Sequence, residues 1–211
     1  MSVEAVQSAR RGRLFVIAAP SGAGKTSLVN ALLARRPELR LSISHTTRRA
    51  RETERHGREY YFVTPEAFQT SIEQGDFLEH AHVFGNHYGT ARGPVERELD
   101  AGSDVVLEID WQGAQQVRAA LPGAITVFIL PPNRAALETR LRSRKTDSDE
   151  VITRRLSEAV GDMSHAAEFD YVVVNDDFER AVGELQMIVD GRGEGLRASR
   201  PAIQRLLRSM E

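Results

Sequence analysis

Eight residues, Ala19-Pro20-Ser21-Gly22-Ala23-Gly24-Lys25-Thr26, carry the most specific chemistry in this chain of 211. They stand between an apolar, strand-like run at 14–18 and a helical pattern at 27–34. Small residues in that setting let successive backbone N–H groups turn onto phosphate oxygens, and the following helix adds the positive end of its dipole. Gly22 and Gly24 supply the freedom. Lys25 is placed to reach β- and γ-phosphates as a point charge, and Thr26 offers a hydroxyl to Mg²⁺. The pattern G-x-x-x-x-G-K-[ST] is met at every specified position but the first, where Ala19 stands in place of glycine.

Two further clusters have chemistry to offer. In Ser44-His45-Thr46-Thr47-Arg48-Arg49-Ala50-Arg51, guanidinium groups at Arg48 and Arg51 lie beside hydroxyls, a composition that suits a clamp for a phosphate dianion. A solvated charged loop fits the same residues. Glu108 and Asp110 are two apart at the end of an apolar strand, so both side chains point to one face, near the phosphate loop if the sheet is doubly wound. His80, His82 and His87 lack the spacing of a metal site, and neither Ser21 nor Ser27 has an activating base close in sequence.

The elements that must position these groups follow from the apolar pattern. Short apolar runs at 14–18, 41–44, 105–109, 125–130 and 171–174 alternate with helical patterns at 27–34, 112–120, 135–142 and 178–189. That alternation predicts a parallel sheet with helices on both faces. The interval 46–101 breaks the rhythm with Tyr60-Tyr61-Phe62-Val63, a run at 77–83, a Gly85-Asn86 turn and one helix at 65–74, which reads as an inserted α+β lobe. Residues 140–150 are polar and charged, the composition of a mobile flap and equally of a plain solvated loop. Gly191 to Gly195 ends the last core helix, and 199–208 reads as a terminal helix.

Composition narrows the class. With 41% hydrophobic and 27% charged residues, and no apolar run near the ~20 residues of a membrane helix, the chain reads as globular with no membrane partner. A net charge of −2 argues against a nucleic-acid coat. The absence of cysteine excludes disulfides and fits a reducing, cytoplasmic setting, and the first residues carry no secretory apolar stretch. Only two of 28 basic residues are lysines, Lys25 and Lys145. Both a monomer and a homo-oligomer are compatible with the sequence.

The stretch Thr46-Thr47-Arg48-x-x-Arg51-x-x-Glu54-x-x-Gly57-x-x-Tyr60-x-Phe62-Val63 resembles the guanylate kinase signature at every defining position. Further similar segments follow in family order: Phe77-Leu78-Glu79-His80-Ala81, Gly85-Asn86-His87-Tyr88-Gly89-Thr90, Ile109-Asp110-Trp111-Gln112-Gly113-Ala114, a lid-like 140–155, and Val174-Asn175-Asp176-Asp177. The resemblance covers about residues 13–190, and the bacterial single-domain enzymes are the nearest pattern.

The resemblance implies an α/β P-loop nucleoside-monophosphate-kinase fold, with a five-stranded parallel core sheet, an inserted α+β GMP-binding lobe and a mobile lid. The divisions expected are a loose tail at 1–12, a core at 13–46, 102–138 and 169–192, the lobe at 47–101, the lid at 139–168, and a terminal tail or helix at 193–211. It implies transfer from ATP, with Mg²⁺, to GMP and with it dGMP. ATP would rest on Ala19, Pro20, Ser21, Gly22, Ala23, Gly24, Lys25 and Thr26, with Asn175 near the adenine, although an Asn before two aspartates also makes a helix cap. Arg48, Arg51, Tyr60 and Tyr88 would grip the GMP phosphate while Ser44, Glu79 and Thr90 face the base. Glu79 suits guanine, whose N1–H and N2 amine both donate to one carboxylate. Glu108 and Asp110 would hold magnesium waters or touch the guanine amine, and many relatives carry Asp at the place of Glu108. Arg140, Arg144 and Arg155, with Lys25 and Arg48, would stabilise charge on the transferred phosphoryl group. Lys145 stands where many relatives have glycine. A non-catalytic, protein-binding relative of these enzymes is the rival reading. Such modules typically lose the loop lysine or lid arginines, which this chain keeps.

Overall fold

The computed structural model describes residues 10–83, 85–143 and 149–208. Its strands are β1 (Leu14–Ala18), β2 (Arg40–Leu41), β3 (His45–Thr46), β4 (Tyr61–Phe62), β5 (Phe77–Val83), β6 (Asn86–Ala91), β7 (Val105–Glu108), β8 (Ile125–Leu130) and β9 (Tyr171–Val174). The helices are α1 (Lys25–Arg35), α2 (Pro65–Glu73), α3 (Arg92–Asp100), α4 (Trp111–Ala120), α5 (Arg134–Ser143), α6 (Asp149–Ser164), α7 (Phe178–Val189) and α8 (Pro201–Arg208).

Five strands in the order β2-β7-β1-β8-β9 pair in parallel throughout, as the alternating apolar runs predict. Strand β1 is buried along its whole length and sits in the middle, so its side chains divide by parity between two cores. Leu14, Val16 and Ala18 join Val117 of α4 and Leu137 of α5, whereas Phe15 and Ile17 join Leu28 and Leu32 of α1 and Leu185 of α7. Each face thus acquires its helix layer, and the carboxyl ends of β1 and β7 open on the same edge.

The second sheet has the order β4-β3-β6-β5, with β6 antiparallel to both neighbours. Helix α2 lays Phe68 on Phe77 of β5 with ring centroids 4.6 Å apart. Two elements depart from the sequence reading. The interval 46–101 holds two helices rather than one. The second, α3, carries Gly93-Pro94 in its first turn, where proline is tolerated but reads locally as a breaker. Its Val95 and Leu99 are buried in the core with Val105 and Leu107. The strand expected at 41–44 is only Arg40–Leu41, because after Ser42 N–H meets the Val106 carbonyl the chain turns away toward β3.

Of the expected tail, 1–9 lie outside the described residues, while Arg11 pairs with Asp100 and Gly12 N–H donates to the Leu99 carbonyl. Arg144 and Lys145 also lie outside the described residues. Helix α8 packs Ile203 and Leu207 on the core.

Candidate functional site

Between β1 and α1 the loop turns inward with Gly22 at φ 89° and Gly24 at φ 93°, left-handed values that favour glycine. Helix α1 has no acidic residue in its first turn, so the positive end of its dipole is left facing the loop. Seven of the eight loop residues, all but the buried Ala23, line a cavity of about 570 Å³, closed on the other side by Asp110, Trp111, Glu158 and Asp162. The loop is supported from beneath by Asn175, whose side-chain amide donates to the Ala23 carbonyl at 2.8 Å. Asn175 does not cap α7; Asp177 does, accepting from Arg180 N–H at 2.8 Å. That corrects the capping alternative for Asn175: its side chain is directed to the loop instead.

Lys25 sits at the head of the cavity and donates to the Ile109 carbonyl at 2.6 Å. Burial pushes its ammonium below the ordinary lysine range, and Glu108, Asp110, Glu79 and Asp162 pull it back. The Thr26 hydroxyl donates to Glu108 Oε1. Asp110 caps α4, its Oδ1 accepting from Gly113 N–H at 2.7 Å.

A second cavity, of about 160 Å³, is lined by Ser44, Tyr60, Glu79, Tyr88, Glu108 and Asp110 together with Lys25 and Val83. Lys25, Val83 and Asp110 belong to both cavities. Glu79 reaches this one through a shift of register in β5: Phe77 pairs with Ala91 but Glu79 with Thr90, leaving Leu78 as the extra residue. Phe77 faces Phe68, while Glu79, Ala81 and Val83 face the cavity. Thr90, wholly buried, donates its hydroxyl to Glu79 Oε1 at 2.6 Å. Glu79 is 4% exposed, and burial, with Asp110 nearby, pushes its carboxyl up to about 7 against the pull of Thr90 and Lys25.

The arginines divide. Arg48 meets Glu54 through two hydrogen bonds of 2.9 Å and lies over the rings of Tyr60 and Phe62, at 5.4 and 5.8 Å from their centroids. It is therefore fixed directly behind Tyr60, a wall of the smaller cavity. Arg51 has a solvent-exposed side chain: its backbone N–H donates to Glu54 Oε2 at 2.8 Å, while its guanidinium stands 4.0 Å from Glu54 Oε1. Arg140 donates to the Asn175 carbonyl at 2.8 Å, and Arg155 is half-buried; neither lines the two cavities.

The structure adds contacts by residues to which the sequence reading assigned no role. Trp111 Nε1 donates to Asp162 at 3.0 Å, and its ring stacks on His165 with centroids 3.4 Å apart, which seats the end of α6 against the start of α4. His82 lines the loop cavity. Gln116 holds the backbone of His80 at both its N–H and its carbonyl. Their one sequence signal was proximity to quoted motifs, since the contacts join α4 to elements far away in the chain.

Among the described residues no helix is long and apolar enough to cross a membrane. The guanylate kinase family model matches residues 11–192. A guanylate kinase of Alkalilimnicola ehrlichii is 54% identical over 199 residues, covering 94% of this chain and 98% of the relative. That of Escherichia coli K12 is 52% identical over 192 residues, covering 90% and 92%. The crystal structure of guanylate kinase from Anaplasma phagocytophilum superposes with a TM-score of 0.71 at 33% identity, over 95% of each chain. Near-complete coverage by relatives of this identity, with a family model that matches residues 11–192, places the chain in the guanylate kinase family.

Proposed function

We propose that the chain catalyses transfer of the terminal phosphoryl group of ATP to the phosphate of GMP, giving ADP and GDP, in the purine nucleotide metabolism of the cytoplasm. One observation carries this reading: Lys25 forms a wall of both the phosphate-loop cavity and the smaller cavity built around Glu79. A donor on the loop and an acceptor in the lobe would then meet at a single cation.

The acceptor needs no general base, because a phosphate monoester with a second pKa of about 6 is already largely dianionic at neutral pH. What the reaction needs is position and charge stabilisation. The loop N–H groups and the α1 terminus take the donor phosphates, and Lys25 leaves the Ile109 carbonyl for the transferred group. Arg48, behind Tyr60, serves the acceptor phosphate, with Tyr60 and Tyr88 beside it and Arg51 folding in from solvent. Glu79 accepts from guanine N1–H and the 2-amino group, backed by Thr90, with Ser44 alongside. Adenine would present an acceptor at N1 and leave the buried carboxylate unmatched. Arg140, Arg144 and Arg155 complete the charge when the lid segment at 139–168 closes and excludes water. Asn175 serves ATP through the loop it supports.

The hydroxyl of Thr26 and the carboxylate of Glu108 are adjacent hard oxygen donors at the mouth of the loop, a set that suits a magnesium ion arriving on nucleotide phosphates. Bound there, Mg²⁺ neutralises charge on the donor phosphates.

The test is a coupled assay of ADP release from Mg²⁺·ATP with GMP, dGMP, AMP, UMP and CMP in turn. ADP is expected with GMP and dGMP only. Absence of ADP with every acceptor, while ATP or GMP still bound, would overturn the enzymatic reading in favour of a protein-binding module.

A further inference from the structure

Gly113 occupies a helix position where its backbone does not require glycine. It lies in the first turn of α4 and is absent from the glycines with positive φ. Alanine is the better helix former there. What excludes a side chain is chiefly Glu79, with Asp110 beside it: a Cβ at 113 would stand 2.6 Å from Glu79 Oε2, 3.1 Å from Glu79 Cδ and 3.3 Å from Asp110 Oδ1, where ordinary contact begins at 3.4 Å.

The approach is enforced from both sides. Strand β5 is an edge of its sheet, and Gln116 of α4 completes that edge. Its Oε1 accepts from His80 N–H at 3.1 Å, and its Nε2 donates to the His80 carbonyl at 2.9 Å. This amide bracket, one residue past Glu79, presses the first turn of α4 against the carboxylate. Glu79 cannot retreat, because its other oxygen holds the buried Thr90 hydroxyl at 2.6 Å. Asp110 cannot yield, because its Oδ1 is tied to Gly113 N–H. The free direction for the displaced carboxylate is into the cavity it shares with Ser44, Tyr60 and Tyr88.

We propose that Gly113 is a positioning and specificity-determining residue: its missing side chain sets where the Glu79 carboxylate stands, and through it the recognition of the acceptor's 2-amino and N1–H groups. The inference rests on the reading of Glu79 as the guanine contact.

The experiment compares wild type, Gly113→Ala and Gly183→Ala. Gly183, in α7, is a helical glycine whose added methyl meets nothing within 4 Å. Acceptors are GMP and IMP, which keeps N1–H but lacks the 2-amino group. For Gly113→Ala we expect a melting temperature equal to or above wild type and an ATP KM within about twofold. The GMP KM should rise about tenfold or more, and the GMP-to-IMP ratio of kcat/KM should fall by a similar factor. Gly183→Ala should leave every kinetic constant unchanged. Wild-type GMP KM and selectivity in Gly113→Ala would overturn the proposal. So would a lowered melting temperature with both substrates weakened alike, which would assign Gly113 to packing alone. Wild type that binds GMP without turning it over would instead defeat the proposed reaction, and calorimetric GMP affinity of the same variants would still decide the role of Gly113.

Discussion

The Lys25 ammonium donates to the carbonyl of Ile109 at 2.6 Å, a bond between residues 84 positions apart that parks the cation where the two cavities meet. Desolvation there lowers its pKa, while the four carboxylates around it hold the charge in place. Lys25→Ala is expected to lower kcat by about 10³-fold or more, since positioned cations supply much of phosphoryl transfer. GMP binding should change by less than about threefold. Steady-state ADP release and GMP calorimetry check both halves, and comparable turnover by the variant would refute the role.

Glu79 predicts a pH dependence with a definite sign. Between the ordinary carboxylate range and about 7 the folded chain keeps a proton that the unfolded chain has lost, so stability falls as pH rises through that interval. The total is on the order of 3 kcal/mol for the chain without nucleotide. Glu79→Gln should flatten this slope in denaturant titrations from pH 4.5 to 8. GMP needs the ionised carboxylate, so its affinity should weaken about tenfold from pH 8 to pH 6. Glu79→Gln should bind more weakly throughout and retain only the dependence of the acceptor phosphate itself. A wild-type slope that survives in Glu79→Gln would assign the titration to a group other than Glu79.

Arg48 should not tolerate lysine. An ammonium keeps the charge but loses the two-point contact with Glu54 and the stacking over Tyr60 and Phe62. Arg48→Lys is expected to raise the GMP KM about tenfold, leave the ATP KM unchanged, and cost about 1–3 kcal/mol in chemical denaturation. Equal effects on both substrates would contradict a role confined to the lobe.

Asn175→Ala should act on the donor side. It strands the Ala23 carbonyl beneath the loop and opens the space against Gly24, whose added Cβ would otherwise meet Asn175 Nδ2 at 2.5 Å. A loss of about 1–3 kcal/mol and a several-fold rise in ATP KM are expected, with GMP KM unchanged. An unaltered ATP KM would remove Asn175 from the loop's support.

Features encoded by neighbours in the chain were legible in the sequence alone. The phosphate loop declared itself because glycine, lysine and threonine at fixed spacing stand between a strand and a helix. Strands at 14–18, 125–130 and 171–174 and the helix at 178–189 agree with the observed limits, since buried apolar runs bounded by turn residues have few alternatives. The family signature from Thr46 to Val63 was equally local. Helix α3 was hidden because Gly93-Pro94 reads as a breaker and only Val95 and Leu99 show its inner face. Tertiary structure decided the rest. One extra residue at Leu78 turns Glu79 from the Phe68 face to the cavity, because side chains alternate with period two and a single-residue slip inverts them. The bond from Asn175 to Ala23 spans 152 positions, and the abutment of Gly113 on Glu79 depends on how α4 docks against the edge of β5. These placements arise from packing between distant elements, and no local pattern carries the register of a helix against a sheet.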